Sequence, residues 1–239
     1  MKFALIGYGK MGRTIEQILI ERGHQVTLRI DQNSTDSLRQ VKPENVDVAI
    51  EFTSPESAYN NIITTINQGV PIVSGSTGWL DQWNKVVDQV KKTNGAFFYA
   101  SNYSLGVNIF FKINKLLANM IDGRGYNQKI HEIHHIHKLD APSGTAITLA
   151  EDLIKNISTK DKWVEGQSDD RTDLLISSER KDEVPGTHII THTSEVDTIT
   201  ISHEAHSRKG FALGAVMAAE WLPGKHGVLG MDDYLNFKV

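Results

Sequence analysis

A chain of 239 residues is long enough to bury a substantial core in one large or two modest domains, and a net charge of −4 leaves no basic field for nucleic acid. There is no cysteine, which removes any disulfide framework and any covalent thiol chemistry. No segment approaches the roughly 18 apolar residues of a membrane helix, and Phe3-Ala4-Leu5-Ile6 is too short for a signal peptide; a soluble cytoplasmic protein with neither membrane nor nucleic-acid partners is expected.

Phe3-Ala4-Leu5-Ile6 reads as a strand, Gly7-Tyr8-Gly9-Lys10-Met11-Gly12 follows directly, and a helix with Ile15, Ile18 and Leu19 on one face runs to Gly23. This is GxGxxG between strand and helix. The first glycine makes the tight turn, the second lets the backbone approach a pyrophosphate, and the third lets helix and strand pack. A second strand, Gln25-Val26-Thr27-Leu28-Arg29-Ile30, ends at Asp31, where an acid suits the adenosine ribose hydroxyls of a dinucleotide. A dinucleotide is the expected cofactor.

The alternation continues through a strand at 46–52 and a helix with Ser54 as N-cap and Pro55 at its first position. Pro71-Ile72-Val73 leads into Gly75-Ser76-Thr77-Gly78, before a helix carrying Leu80, Trp83, Val86, Val87 and Val90. Ala96-Phe97-Phe98-Tyr99 leads into Ala100-Ser101-Asn102-Tyr103-Ser104. Both loops fall at carboxyl ends of parallel strands, where open α/β sheets bind ligands, although such small polar residues also make ordinary turns.

After Gly106 the pattern changes. A helix at 107–121 and a polar turn at 122–125 precede Glu132-Ile133-His134-His135-Ile136-His137-Lys138-Leu139-Asp140-Ala141-Pro142-Ser143-Gly144-Thr145-Ala146. Ala146, Leu149, Ala150, Leu153, Ile154 and Ile157 then share one helical face. That helix opens on Ser143, Gly144 and Thr145, which offer free amides, two hydroxyls and the positive dipole end to a small anion. Residues 159–173 read as a polar loop, and 174–177, 187–193 and 198–203 as strands rich in β-branched residues. A helix at 211–222 is expected to fold back on the first domain. The fold class is α/β: a Rossmann-like dinucleotide-binding domain, 1–105 completed by 211–239, and a second α+β domain on a mixed sheet, 106–210. The second domain is assigned substrate binding and oligomerisation, with hinges at 104–106 and 207–210.

His131, His134, His135 and His137 could be metal ligands or polar packing groups. Strand alternation would send His134 to one face and His135 and His137 to the other, and no HExxH motif is present, so no metal site is expected. The chain resembles the 4-hydroxy-tetrahydrodipicolinate reductase (dihydrodipicolinate reductase) family. The resemblance rests on the glycine loop, Glu51-Phe52-Thr53, the loops at 75–78 and 100–108, the block at 132–146, Ser207-Arg208 and Gly214-Ala215. It implies reduction of a cyclic, unsaturated dicarboxylate with NADH or NADPH, in lysine and diaminopimelate biosynthesis. His134 and Lys138 take the catalytic, proton-handling positions, and His135 with Gly144 and Thr145 the substrate-binding ones. The cofactor positions are Gly7, Tyr8, Gly9, Lys10, Met11, Gly12, Asp31, Gly75, Ser76, Thr77, Ala100, Ser101, Asn102 and Tyr103. Family members are commonly homotetramers joined through the second domain's sheet. Relative to the family, this chain has one residue fewer before Gly12, and Glu51 and Ser76 replace a common Asp and Thr. Two rival readings are a non-catalytic NAD(H)-sensing module and an oxidoreductase of another small substrate. A sensor has no need of the block from His134 to Thr145.

Overall fold

The computed structural model describes residues 1–207 and 209–236, which divide into two compact units. One comprises residues 1–104 and the chain from Lys209 onward; the other begins at Leu105. Both transitions fall on the first residue of a helix, so they lie one and two residues ahead of the expected changes at 106 and 211.

In the first unit, β1 (Lys2–Ile6), α1 (Lys10–Glu21), β2 (Gln25–Ile30), β3 (Val48–Glu51), α2 (Pro55–Asn67), β4 (Ile72–Ser74), α3 (Trp83–Thr93) and β5 (Ala96–Tyr99) alternate strand with helix, except that β2 leads to β3 through a single 3-10 turn at Leu38–Gln40. Their strands are nearly continuous apolar runs because helices cover both faces of the parallel sheet. The second unit follows, with α4 (Leu105–Ile121), β6 (Asn127–His134), α5 (Gly144–Asn156), β7 (Lys162–Glu165), β8 (Asp173–Arg180), β9 (Thr187–Thr193) and β10 (Thr198–Glu204). The chain then returns to the first unit as α6 (Lys209–Trp221), β11 (Gly227–Leu229) and α7 (Met231–Leu235).

The first sheet has the order β11-β5-β4-β3-β1-β2, all parallel. Strand order reverses between β1 and β3, the position at which an open α/β sheet leaves a crevice. Phe3, Leu5 and Phe98 pack under α1 and α6, while Ile72, Trp79 and Phe97 pack under α2 and α3. Arg22, the C-cap residue of α1, holds Glu220 on α6 through two hydrogen bonds of 2.7 and 2.8 Å. The fold-back of the tail extends past the expected helix, because β11 pairs with β5 and completes the sheet. Leu80, expected within the third helix, instead belongs to a single exposed 3-10 turn, and it is Trp79 that is buried.

The second sheet is mixed, in the order β10-β9-β6-β8-β7. β6 runs antiparallel to β9 and parallel to β8. Its inward positions Gln128, Ile130, Glu132 and His134 alternate with half-exposed or exposed residues, and α4 and α5 supply the cover. Register places Glu132 beside His188 and His134 beside Arg180. Two expectations are corrected here. The stretch 159–173 contains β7, an edge strand with one neighbour, whose four residues are too few, among polar flanks, to show a strand pattern. The histidine strand stops at His134, because the Ile136 amide turns to Asp182 O (3.1 Å) and the Lys138 amide closes on His135 O (3.1 Å). His135 and His137 thus lie in a loop, and strand alternation does not govern them.

His192 on β9 is fully buried, and both its ring nitrogens lack a hydrogen-bond partner among the described residues. Burial holds its pKa down at about 4, so the folded protein refuses a proton that the unfolded chain accepts below about pH 6.5. The depressed value makes its stability contribution complete above pH 6.5 and progressively lost toward pH 4, by about 1.4 kcal/mol per pH unit. His192→Leu should flatten the pH dependence of urea-unfolding stability between pH 6.5 and 4.5 by that slope. Parallel curves for the two proteins would contradict the assignment.

Candidate active site

At the β1–β3 crevice the three glycines of the first loop have different surroundings. Gly7 has φ +95°, and a Cβ there would lie 1.9 Å from Phe52 O; a Cβ on Gly12 would lie 2.2 Å from Gly7 O. A Cβ on Gly9 would meet nothing within 4 Å. The outer two glycines are therefore demanded by the fold, whereas the middle one keeps space open at the start of α1. That space belongs to a cleft of about 710 Å³, lined by Gly7, Tyr8, Gly9, Asp31, Thr53 and Asn61 among others. Lys10, Met11 and Gly12 form the first turn of α1, whose leading amides favour an anion. Asp31 stands at the end of β2, where its carboxylate accepts from the Gln32 amide (2.9 Å). The neighbouring cation Arg29 is committed to Glu16, which Tyr8 also engages through its hydroxyl.

Glu51, fully buried at the end of β3, accepts from the Thr53 amide (2.9 Å) and from the hydroxyls of Thr53 (2.5 Å), Ser74 (2.5 Å) and Ser76 (2.7 Å). The loops after β3 and β4 are locked together by this carboxylate. Gly75 lies against the Phe52 ring, which a Cβ would approach to 2.1 Å, and the buried Tyr103 hydroxyl donates to Ser74 O (2.6 Å). Gly75, Ser76, Thr77, Ala100, Ser101, Asn102 and Tyr103 lie outside the lining of the cleft, at or beyond the ends of β4 and β5. The side chains of Ser76 and Tyr103 are turned to internal bonds rather than to the cleft. Thr53, quoted above only as part of Glu51-Phe52-Thr53 and given no site role, and Asn61, not singled out from sequence, do line it, joined by a 3.2 Å bond from the Asn61 side-chain amide to Thr53 Oγ1.

In the second unit the block from Glu132 to Thr145 folds around a second sealed carboxylate. Glu132 is fully buried, and both its oxygens accept from the Ser143 amide at 3.1 Å. Arg180 Nη2 lies 3.4 Å away, and His134 Nδ1 and His188 Nε2 each lie 3.6 Å away. His188 Nε2 is also 3.1 Å from Ser143 Oγ, which accepts from the Ala146 amide as the cap of α5. Ser143 thus spends both polar groups internally and positions the helix rather than presenting itself. Ahead of the capped Ala146 amide stand Gly144, exposed and with open space around its Cα, and the half-exposed Thr145.

Burial opposes ionisation of Glu132, but donation from His188 and from the hydroxyl and amide of Ser143 outweighs it and brings the pKa to about 2. Burial also takes His134 down to about 4, against the pull of Glu132, with His188, Lys138 and Arg180 adding to the depression. At neutral pH the site holds an ionised carboxylate beside an uncharged imidazole. Lys138 donates to both oxygens of Asp140, at 2.8 and 2.7 Å. His135 is half-buried at the start of the same loop. His131 turns away to Ser177 and Glu179, and His137 to Glu183. Glu132, His134 and His188 offer atoms within 4.8 Å of one another, a spacing that could also suit a metal ion. However, the Arg180 guanidinium already faces Glu132 at 3.4 Å and supplies positive charge there. Arg208 of the Ser207-Arg208 pair lies outside the described residues.

Residues 1–103 match the family described as "Dihydrodipicolinate reductase, N-terminus" and residues 106–235 "Dihydrodipicolinate reductase, C-terminus". A 4-hydroxy-tetrahydrodipicolinate reductase of Christiangramia forsetii is 46% identical over 237 residues, covering 99% of this chain and 98% of the relative. One of Archaeoglobus fulgidus is 31% identical, covering 99% and 100%. The fold is shared with a dipicolinate-bound dihydrodipicolinate reductase from Paenisporosarcina sp. TG-14, with a TM-score of 0.82 at 19% identity, covering 98% of this chain and 99% of that one. The two consecutive family matches and the near full-length identity make the chain a member of the dihydrodipicolinate reductase family.

Proposed function

We propose that this chain reduces 4-hydroxy-tetrahydrodipicolinate to tetrahydrodipicolinate with a nicotinamide dinucleotide, as a cytoplasmic step of lysine and diaminopimelate biosynthesis. The observation that carries the reading is the arrangement around Glu132, which holds a neutral imidazole and an exposed helix start in one small region. A cyclic dicarboxylate needs both: an anion cradle at Gly144 and Thr145, and groups that manage a proton at the ring. His134 handles the proton and Lys138 supplies cationic charge and a proton to the reduced ring, while His135 helps to bind the substrate. The first unit fits the dinucleotide, with Gly9 leaving room for the pyrophosphate and Asp31 accepting from ribose hydroxyls; Lys10, Met11 and Gly12 shape the helix start. When bound, the cofactor supplies the hydride. The open face of the second sheet, with Lys129, His131, Ile133 and Thr200 half-buried or exposed, supports assembly of a homotetramer through that face.

The deciding assay generates the substrate from pyruvate and aspartate semialdehyde with the upstream synthase and follows NADH oxidation at once; no oxidation would end the proposal. In that assay His134→Gln and Lys138→Ala should each lose about 100- to 10,000-fold in kcat with little change in the KM for NADH. Thr145→Val should cost about 1.5–3 kcal/mol, seen mainly in the substrate KM. Near wild-type kcat for both His134→Gln and Lys138→Ala would remove the catalytic assignment.

Gly9→Val should melt close to wild type and bind NADH at least about tenfold more weakly in a fluorescence titration, because its side chain enters open space. Gly12→Val should lower the melting temperature as well, its Cβ being driven into Gly7 O. Unchanged NADH affinity in folded Gly9→Val would displace the pyrophosphate site.

With Asp31 at the ribose position and Arg29 committed to Glu16, NADH should serve at least as well as NADPH. A tenfold higher kcat/KM with NADPH, about 1.4 kcal/mol, would reverse that preference.

A further inference from the structure

We propose that Glu132, Arg180 and His188 are positioning residues that fix the anion cradle and the proton-handling loop as one rigid piece. The inference rests on the reductase reading above and extends it from the arrangement around Glu132 to Arg180 and His188, which that reading leaves without a role.

The loop of residues 135–143 contains both Lys138 and the approach to α5, and it is gripped from two sides by complementary groups. Arg180, at the end of β8 beside His134, donates to backbone oxygens of the loop: Nη2 to Asp140 O at 2.6 Å and Nε to Lys138 O at 3.3 Å. Glu132, from β6, takes the loop's last amide, that of Ser143, on both carboxylate oxygens. The guanidinium and carboxylate also face each other at 3.4 Å, so the two grips share one centre. A planar guanidinium can serve two carbonyls and a carboxylate at once, which an ammonium cannot. His188, 4% exposed, closes the third side by meeting Ser143 Oγ and Glu132 together. Two acceptors facing Nε2 place the proton on that nitrogen. The T-shaped contact of its ring with that of His134, centroids 5.1 Å apart, links this cap to the proton-handling imidazole. Among the described residues no other element supplies the Ser143 amide with an acceptor, so the direction in which α5 aims its first amides is set here.

Loosening such a frame should weaken the hold on a dicarboxylate before it unfolds the protein. The probe is dipicolinate, the planar pyridine dicarboxylate bound by the Paenisporosarcina enzyme, measured by calorimetry on the NADH-loaded full chain, alongside the substrate KM and the NADH Kd. Arg180→Lys keeps the charge opposite Glu132 and loses the fork; it should weaken dipicolinate binding and raise the substrate KM at least tenfold, with NADH Kd unchanged. His188→Leu should do the same, and His188→Gln, whose amide nitrogen reaches the Nε2 position, should restore most of the loss. A merely structural role would lower the active fraction and the melting temperature while leaving KM and dipicolinate Kd of the folded fraction as in wild type. That result in Arg180→Lys, or equal behaviour of His188→Leu and His188→Gln, would overturn the proposal. If wild type itself oxidised no NADH with the substrate, the reductase reading would fall instead, and the dipicolinate comparison would still decide whether the three residues hold an anion cradle.

Discussion

Glu132 is sealed from solvent, and a carboxylate in that position must either neutralise or collect donors. It collects them, from the Ser143 amide on one side and Arg180 on the other, with two imidazoles alongside. Every group so recruited belongs to the region proposed above to meet the substrate. Removing one partner of a buried ion pair costs about 3–5 kcal/mol because the other charge stays behind, whereas an apolar replacement of both is often neutral. Net stability is therefore a weak reason for such a pair, and fixing one geometry of the loop at 135–143 is a strong one.

The first unit solves the same problem in the same way. Glu51 is equally sealed and gathers four donors from Thr53, Ser74 and Ser76, which ties the loops after β3 and β4 beside the dinucleotide cleft. The Glu51 side chain reaches across from β3 to the hydroxyl of Ser74 on β4 and that of Ser76 just beyond it. In both units a polar group is buried at a strand's carboxyl end, and the loops that build a binding surface are organised by its demand for hydrogen bonds. His192 is the contrasting case, a buried ring without a hydrogen-bond partner among the described residues, which stays neutral instead.

Much of this was legible in the sequence wherever a local rule sufficed. The glycine loop between an apolar run and an amphipathic helix, the acid at Asp31 and the helix opening around Ser143 to Thr145 are set by residues close in sequence, and the structure places each at the expected element. Contacts set by register were not legible. His188 and Arg180 reach Glu132 only because β9 and β8 flank β6 at that alignment, and no spacing in the chain announces it. Loops misled for a related reason: Ser76, Tyr103 and Ser143 are the polar residues expected to face ligands, yet their side chains satisfy buried neighbours. Edge strand β7 was hidden because its two apolar residues, Trp163 and Val164, stand alone between polar flanks.

The state of the Glu132 carboxyl is the most direct point of test, since everything at the site depends on its remaining charged while buried. Infrared difference spectra of protein with ¹³C-labelled glutamate carboxyls, taken through a pH titration and subtracted from those of Glu132→Gln, isolate that single group. The Glu132 band should keep the ionised carboxylate frequency until the pH falls to about 3, in line with a pKa near 2. A protonated-acid band already present at pH 6 would contradict the central role of a charged Glu132 in building this site.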